Sequence, residues 1–410
     1  GDHGTHVAGI AAANKVDGSE VVGVAPDAQL LIMKVFGKAG GAYTEDIIAA
    51  LEDALILGAD VVNMSLGTTA GFTSDTEEVD AIFQRVATTG TVLAVSAGNS
   101  YTAGFGNMWG TDQNLTEHVD NGLVGAPGLY ANVLTVASVE NTMVHRNYIA
   151  AGDYKIAYNL SSNGSDREVT TLTESYGLVA VPGLGEAADY EGLDVTGKVV
   201  LVQRGTISFA EKHMYAEEAG AAAVLVYNNT ASEQFGMDLT GSTATIPAVA
   251  ISMADGEYLK AAVAENADFT VSFPTVTALM PSPLASQMSD FSSWGVSPDL
   301  RLEPDITAPG GYIYSTVDGG RYETMSGTSM AAPNIAGLSA LVKQYVEAEM
   351  ADTDDVRVMV QNLLVSTAAP LVHQESGLFY SPRQQGAGLA NAYNSVTTRE
   401  QQMQPEFISV

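Results

Sequence analysis

Apolar positions along this chain recur with changing period, and the changes mark out its elements. Residues 6–13 (HVAGIAAA) are small and compatible with a helix, and residues 29–35 (QLLIMKV) form an apolar run of strand length. Ile47, Ile48, Leu51, Ala54 and Leu55 then recur at helical spacing behind Thr44, which reads as an N-cap, and Gly58 stands where that helix should stop. Residues 61–66, 92–96 and 133–138 read as buried strands. Strands alternating with helices predict an α/β fold, a parallel sheet with helices on both faces.

The pattern breaks near residues 141–150. Residues 197–205 (GKVVLVQRG) predict a strand closed by glycine, residues 208–218 a helix with Phe209, Met214 and Ala216 facing inward, and residues 221–227 (AAAVLVY) another strand. Residues 246–251, a helix through Leu259 and Val263, and residues 269–273 complete a small mixed α/β unit. Pro274, Pro281 and Pro283 punctuate a return linker. From Asp290 the larger unit resumes, through residues 305–311 (DITAPGG) into a long helix from about Ser329. The division expected is 1–150 for the first part of the larger unit, 151–275 for the insert, 276–396 for the second part, and 397–410 for the start of a linker.

With 410 residues, 46% of them apolar, the chain can bury sizeable cores in two or three units. Only 16% are charged, which speaks against long disordered charged tails. A formal net charge of -31 repels phosphate backbones, so nucleic acid is excluded as a partner. The absence of cysteine excludes disulfides, thiolate metal sites and a cysteine nucleophile. No apolar run approaches the roughly 18 residues that span a bilayer. The sequence opens on Gly1 directly into a dense motif and is read as N-terminally truncated, so the lack of a visible signal peptide carries no information.

Four segments concentrate candidate chemistry: residues 2–9 (DHGTHVAG), 63–67 (NMSLG), 96–99 (SAGN) and 325–333 (MSGTSMAAP). In the last, Gly327 permits a tight turn and Ser329 begins a helix. A serine there is ordinarily an N-cap. Its backbone N–H also faces incoming negative charge, so an activated serine would carry an oxyanion donor with it. His3 and His6, three apart, raise the alternative of a metal pair, but no HExxH pattern and no third ligand accompany them. Asn99 alone is a turn residue and Ser65 alone a strand residue. His118, His145, His213 and His373 lie outside any motif and read as surface or structural, and Asp352, Asp354 and Asp355 read as a solvated loop rather than a calcium cluster.

Together, and in this order, the four segments resemble those of the subtilisin-like serine peptidases, the subtilases. The resemblance implies a catalytic base at His3, a nucleophile at Ser329 and an oxyanion-hole amide at Asn99. It also implies that Ser65, Leu66 and Gly67 bind substrate backbone and that Ala97 and Gly98 wall the primary specificity pocket. The insert resembles a protease-associated (PA) domain, and its position resembles that in Gram-positive cell-envelope subtilases of the lactocepin and C5a-peptidase type. That likeness implies a serine endopeptidase acting on protein or peptide substrates, outside the cell or in the bacterial cell wall. No cofactor is required; structural calcium is compatible with the family, but no site is placed. The alternative is a catalytically dead relative that binds proteins through its PA domain.

One expected part is missing. The family needs an aspartate in an Asp-Ser/Thr-Gly segment upstream of the histidine. Asp2 adjoins His3 and cannot turn its carboxylate onto that ring, and Asp318-Gly319 lies in a loop. Without the aspartate activity should drop about 10⁴-fold, and the 410 residues alone are expected to fold poorly and not to cleave peptides, with a gap in the sheet and unpaired strand edges.

Overall fold

In the computed structural model the described residues are 1–37, 41–69, 71, 77–101, 122, 124–163, 168–231, 235–297, 299–350, 353 and 355–397. His118, Asp352, Asp354 and the linker residues 398–410 lie outside them. The chain forms two compact units, one from Gly1–Thr142 with Leu284–Val410 and the other from Met143–Pro283.

The first unit opens with α1 (Asp2–Ala12), followed by α2 (Thr44–Ile56), β1 (Val61–Met64), α3 (Glu77–Val86), β2 (Val92–Ser96) and β3 (Val133–Glu140). Gly58, at φ +74, ends α2 as expected. Thr44 is not its cap: Tyr43 holds that position and no side chain caps the helix. Residues 29–35 form no strand. Leu30, Leu31 and Ile32 are exposed, and the run pairs with no strand. Apolar composition alone cannot hold a strand, because its backbone groups need a neighbouring edge.

The second unit carries β4 (Met143–Arg146), β5 (Tyr148–Ala151), β6 (Tyr154–Ala157), β7 (Asn159–Leu160), β8 (Ser175–Ala180), β9 (Val199–Gln203), α4 (Phe209–Glu218), β10 (Ala223–Tyr227), β11 (Ala248–Ile251), α5 (Met253–Glu265), β12 (Thr270–Ser272) and β13 (Ala278–Pro281). Strands β8, β9, β10 and β11 are parallel neighbours. Alternate residues serve opposite faces: Val199, Leu201 and Leu225 join the α5 core, while Val200, Val202 and Val226 join the α4 core. In α4 the buried positions are Ala210, Lys212, His213 and Ala216, and Met214 is only half-buried. His213 is inside because both ring nitrogens are engaged, Nδ1 with Ser242 Oγ at 2.9 Å and Nε2 with Ile246 O at 2.7 Å. The units divide at 142/143 and 283/284 because β4 and β13 pair antiparallel and close the insert on itself.

The first unit resumes with β14 (Ile306–Gly311), β15 (Ile313–Val317), β16 (Arg321–Met325), α6 (Thr328–Glu349), α7 (Val356–Ser366), α8 (Pro382–Gln385) and α9 (Ala392–Thr397). Its main sheet runs β1-β2-β3-β14, all parallel. Val92 and Ala94 face α6 and α7, whereas Leu93 and Val95 face α2 and α3. This is the predicted α/β layering, with every residue of β2 buried. Asp355 caps α7, accepting from Val358 N at 3.0 Å.

At the start of β14 two carboxyls are buried together. Asp305 accepts from Thr135 N at 2.7 Å, and Glu303 is 4% exposed with Oε2 unpartnered. Desolvation, with Asp305 beside it, raises the Glu303 pKa from 4.5 to about 9. The folded state thus holds a proton that the unfolded chain releases, so stability is full below about pH 4.5 and falls as pH rises toward about 9. Glu303→Gln should flatten that decline and raise stability above neutrality, as read by urea unfolding across the pH range.

Candidate active site

The site is built where β16 runs into α6. Gly327 N donates to Gly310 O at 2.9 Å, and Tyr312 N donates to Ser326 Oγ at 2.9 Å, so the turn before the helix is pinned to the end of β14. The approach is close: a Cβ on Gly310 would stand 2.5 Å from Ser138 Oγ and 2.6 Å from Gly327 O. Only glycine fits there.

Pro333 lies inside α6. A proline has no N–H, so the carbonyl four residues earlier, that of Ser329, loses its helical donor. Ser65 Oγ takes the vacancy, donating to Ser329 O at 2.7 Å. The segment after β1 is thereby tied to the residue that begins the helix. Ser329 Oγ lies 3.5 Å from Ser65 O, a long contact.

Asn99 follows β2. Its Oδ1 accepts from both the N–H and the hydroxyl of Thr328, each at 2.9 Å, and the same hydroxyl accepts from Gly98 N at 3.1 Å. Because Oδ1 takes two donors, Nδ2 is the atom left facing outward. A Cβ on Gly327 would stand 3.3 Å from Asn99 Nδ2 and 3.6 Å from Ser329 N. Two N–H donors therefore border one small space that the glycine leaves open. Thr328, 1% exposed, organises this arrangement. Sequence reasoning gave it no role.

The other expected residues take the following places. Gly98, at φ +110, cannot carry a side chain without strain, and a Cβ would meet Ser293 Oγ at 2.8 Å. The Ala97 methyl is fully buried with Val124 and Leu129 rather than turned outward. Leu66 packs on the α2 and α3 core, and its carbonyl accepts from Ser96 Oγ at 3.3 Å. Gly67 is exposed, and a Cβ there would stand 2.9 Å from Ala126 O.

His3 lies in the first turn of α1, four residues before Val7 and so on the same helical face. Val7 and Ile10 pack with Met330, the residue after Ser329, so the helix bearing His3 is seated against the head of α6. The His3 ring is exposed by surface area, yet the surrounding protein lowers its pKa by desolvation. Among the described residues His3 makes no hydrogen bond. Asp2 instead accepts from Asp318 N at 3.1 Å, and Asp318 lies 3.7 Å from the Gly1 amine, so neither carboxylate serves His3.

His6 is fully buried, with Nε2 3.1 Å from Ile313 O and 3.0 Å from Glu323 O. Two carbonyl partners require that Nε2 carry the proton, which commits the ring to the β15–β16 hairpin. Burial lowers its pKa and keeps it neutral. Among the described residues, no group of three or more His, Asp or Glu side chains is arranged to hold a metal ion.

A small space bordered by Asn99 Nδ2 and Ser329 N, beside a serine at a helix head, is an arrangement suited to an oxyanion. In comparison with known families, the model of the subtilase family matches residues 1–388. This chain belongs to the subtilase family. A PII-type proteinase of Lacticaseibacillus paracasei is 36% identical to this subtilase over 429 aligned residues, which take in 97% of the chain and 22% of that protein. A C5a peptidase of Streptococcus pyogenes is 33% identical over 408, taking in 95% of the chain and 33% of that protein. The chain thus spans about a fifth to a third of the length of these curated relatives. Its fold is similar to that of a psychrophilic subtilisin-like protease from an Antarctic Pseudoalteromonas, with a TM-score of 0.54, 21% identity, and coverage of 98% of this chain and 85% of that one.

Within this subtilase the Thr328 hydroxyl, itself buried, has two hydrogen bonds to lose, one to Gly98 N and one to Asn99 Oδ1. Thr328→Val should lower stability by about 1–3 kcal/mol, since both are lost with the hydroxyl. Chemical denaturation with an unchanged m-value would check this.

Proposed function

We propose that this subtilase is a serine endopeptidase working through an acyl-enzyme. Ser329 Oγ attacks the scissile carbonyl carbon while His3 takes the hydroxyl proton. The carbonyl oxygen, now negative, enters the space bordered by Asn99 Nδ2 and Ser329 N. The C–N bond then breaks, His3 returns the proton to the leaving amine, and water repeats the sequence on the ester. That Asn99 Nδ2 and Ser329 N both border the space beside Gly327 is the observation that carries this reading.

Substrates are proteins or peptides in extended form, with residues 65–67 offering backbone to one side of the chain being cut. Gly98 shapes the primary pocket with its backbone, as does Ala97, whose methyl is buried. The chemistry requires no cofactor. The catalytic part comprises residues 1–142 and 284–396, with a PA-type insert at 143–283, and we place the enzyme outside the cell or in the bacterial cell wall. The location rests on likeness to cell-envelope subtilases. By itself this 410-residue chain should hydrolyse peptides feebly, about 10⁴-fold below a complete triad, since no described carboxylate orients His3. The same observation favours a second reading, a catalytically silent subtilase that binds proteins through its insert.

A fluorophosphonate probe separates the two. Applied to a longer product of the same gene that supplies the carboxylate, it should label Ser329, and Ser329→Ala should abolish both labelling and casein hydrolysis. A folded protein whose Ser329 stays unlabelled would establish the silent relative. In active material Asn99→Ala should lower kcat about 10²- to 10³-fold with little change in KM, a magnitude first measured on subtilisin itself.

A further inference from the structure

At the carboxyl ends of β8, β9 and β10 the inserted unit gathers residues for which the chemistry above has no use. Arg204 directly follows β9. Its backbone N–H donates to Tyr227 O at 2.8 Å, and its Nη1 donates to Oδ1 of the buried Asn228 at 3.2 Å. The guanidinium lies 5.0 Å from the ring centroid of Phe235 and 5.9 Å from that of Phe209, and the two rings stack at 5.7 Å. Among the described residues no acid pairs with it. A guanidinium has five N–H donors, so most of its donor edge is unused by these residues. In a chain with 48 acids against 17 Lys and Arg, a cation seated on aromatic faces rather than on a carboxylate calls for an explanation.

The neighbouring loop is held rigidly. Lys212, fully buried, donates from Nζ to Leu184 O. Asp189 Oδ2 accepts from Leu184 N at 3.1 Å and from Glu186 N at 2.9 Å. The Leu184 side chain covers Gly205, where a Cβ would stand 2.5 Å from it. Arg204 thus projects from the end of a parallel strand, beside a braced loop, at the edge where open α/β sheets receive ligands.

We infer that this edge of the insert is a peptide-binding site in which Arg204 holds a carboxylate. A planar fork with its face fixed on Phe235 presents parallel N–H groups, which match a carboxylate bidentately. Phe209, half-buried over the Phe235 ring, offers apolar surface to the residue beside it. The carboxylate follows from Arg204 alone. That it belongs to a peptide rests on the peptidase reading.

The test uses the whole 410-residue chain carrying Ser329→Ala, so that binding is measured without turnover. Three fluorescent peptides are titrated: one with a free C-terminal carboxylate and no acidic side chain, its C-terminal amide, and an amide containing one glutamate. Binding of the first but not the second assigns the chain terminus, and binding of the third assigns an acidic side chain. Arg204→Gln should weaken whichever carboxylate peptide binds by about tenfold, to the level of the neutral amide, and Arg204→Lys should fall between. Raising salt should weaken the parent and leave Arg204→Gln nearly unchanged. Equal binding of all three peptides, unaltered affinity in Arg204→Gln with the parent's melting temperature, or no saturable binding would overturn the inference. Saturable Arg204-dependent binding with Ser329 unlabelled in the folded longer product that supplies the carboxylate would leave it standing while the peptidase reading falls.

Discussion

The hydroxyl of Thr328 joins the end of β2 to the head of α6, and the active-site geometry depends on that junction. It accepts from Gly98 N, donates to Asn99 Oδ1, and is sealed from solvent. Each bond alone is worth about 1 kcal/mol net. Sharing one buried hydroxyl, they reinforce one another. The consequence is directional: an asparagine amide has two similar ends, and only the pair of donors on Oδ1 decides that the N–H end faces the space beside Ser329.

The sheet supplies the position in which this junction works. β2, β3 and β14 are parallel neighbours, so their carboxyl ends share one edge, and β14 leads through the β15–β16 hairpin to Gly327. Gly310 lets Ser138, Gly327 and Ala331 close together at that edge. Pro333 adds a second constraint from within the helix, releasing the Ser329 carbonyl to Ser65. Two apparent defects in regular structure, a side chain absent at residue 310 and a donor absent at residue 333, thus fix the segment that carries the serine.

Much of this was legible in the sequence, for definite reasons. Buried strands such as residues 92–95 are apolar throughout, and the glycine, serines and proline of residues 325–333 leave little conformational choice. Residues 29–35 misled because hydrophobicity reports a wish to be buried, whereas a strand also needs an adjacent edge. Met214 misled because a helix face was assigned by apolarity, while Lys212 and His213 are buried on the strength of carbonyl and hydroxyl partners that lie outside their own helix. Thr328 was overlooked because a threonine hydroxyl acquires a role only through residues 229 and 230 positions away, a separation at which no local pattern exists.

The two halves of the proposed chemistry stand on different footing. Stabilising the oxyanion needs Asn99, Ser329 and Thr328, and each has its hydrogen-bonding geometry fixed within one unit. Proton transfer needs His3, which desolvation makes a weaker base and which no described carboxylate orients. A carboxylate brought to its Nδ1 would act twice, fixing the tautomer that leaves Nε2 free to accept a proton and raising the pKa that burial has lowered. The groups proposed to hold transition-state charge thus already border one space in this chain, while the strength of the proposed base is conditional on a partner. For this reason labelling of Ser329, which needs the base, is a more searching test of the reading than the geometry of the oxyanion donors.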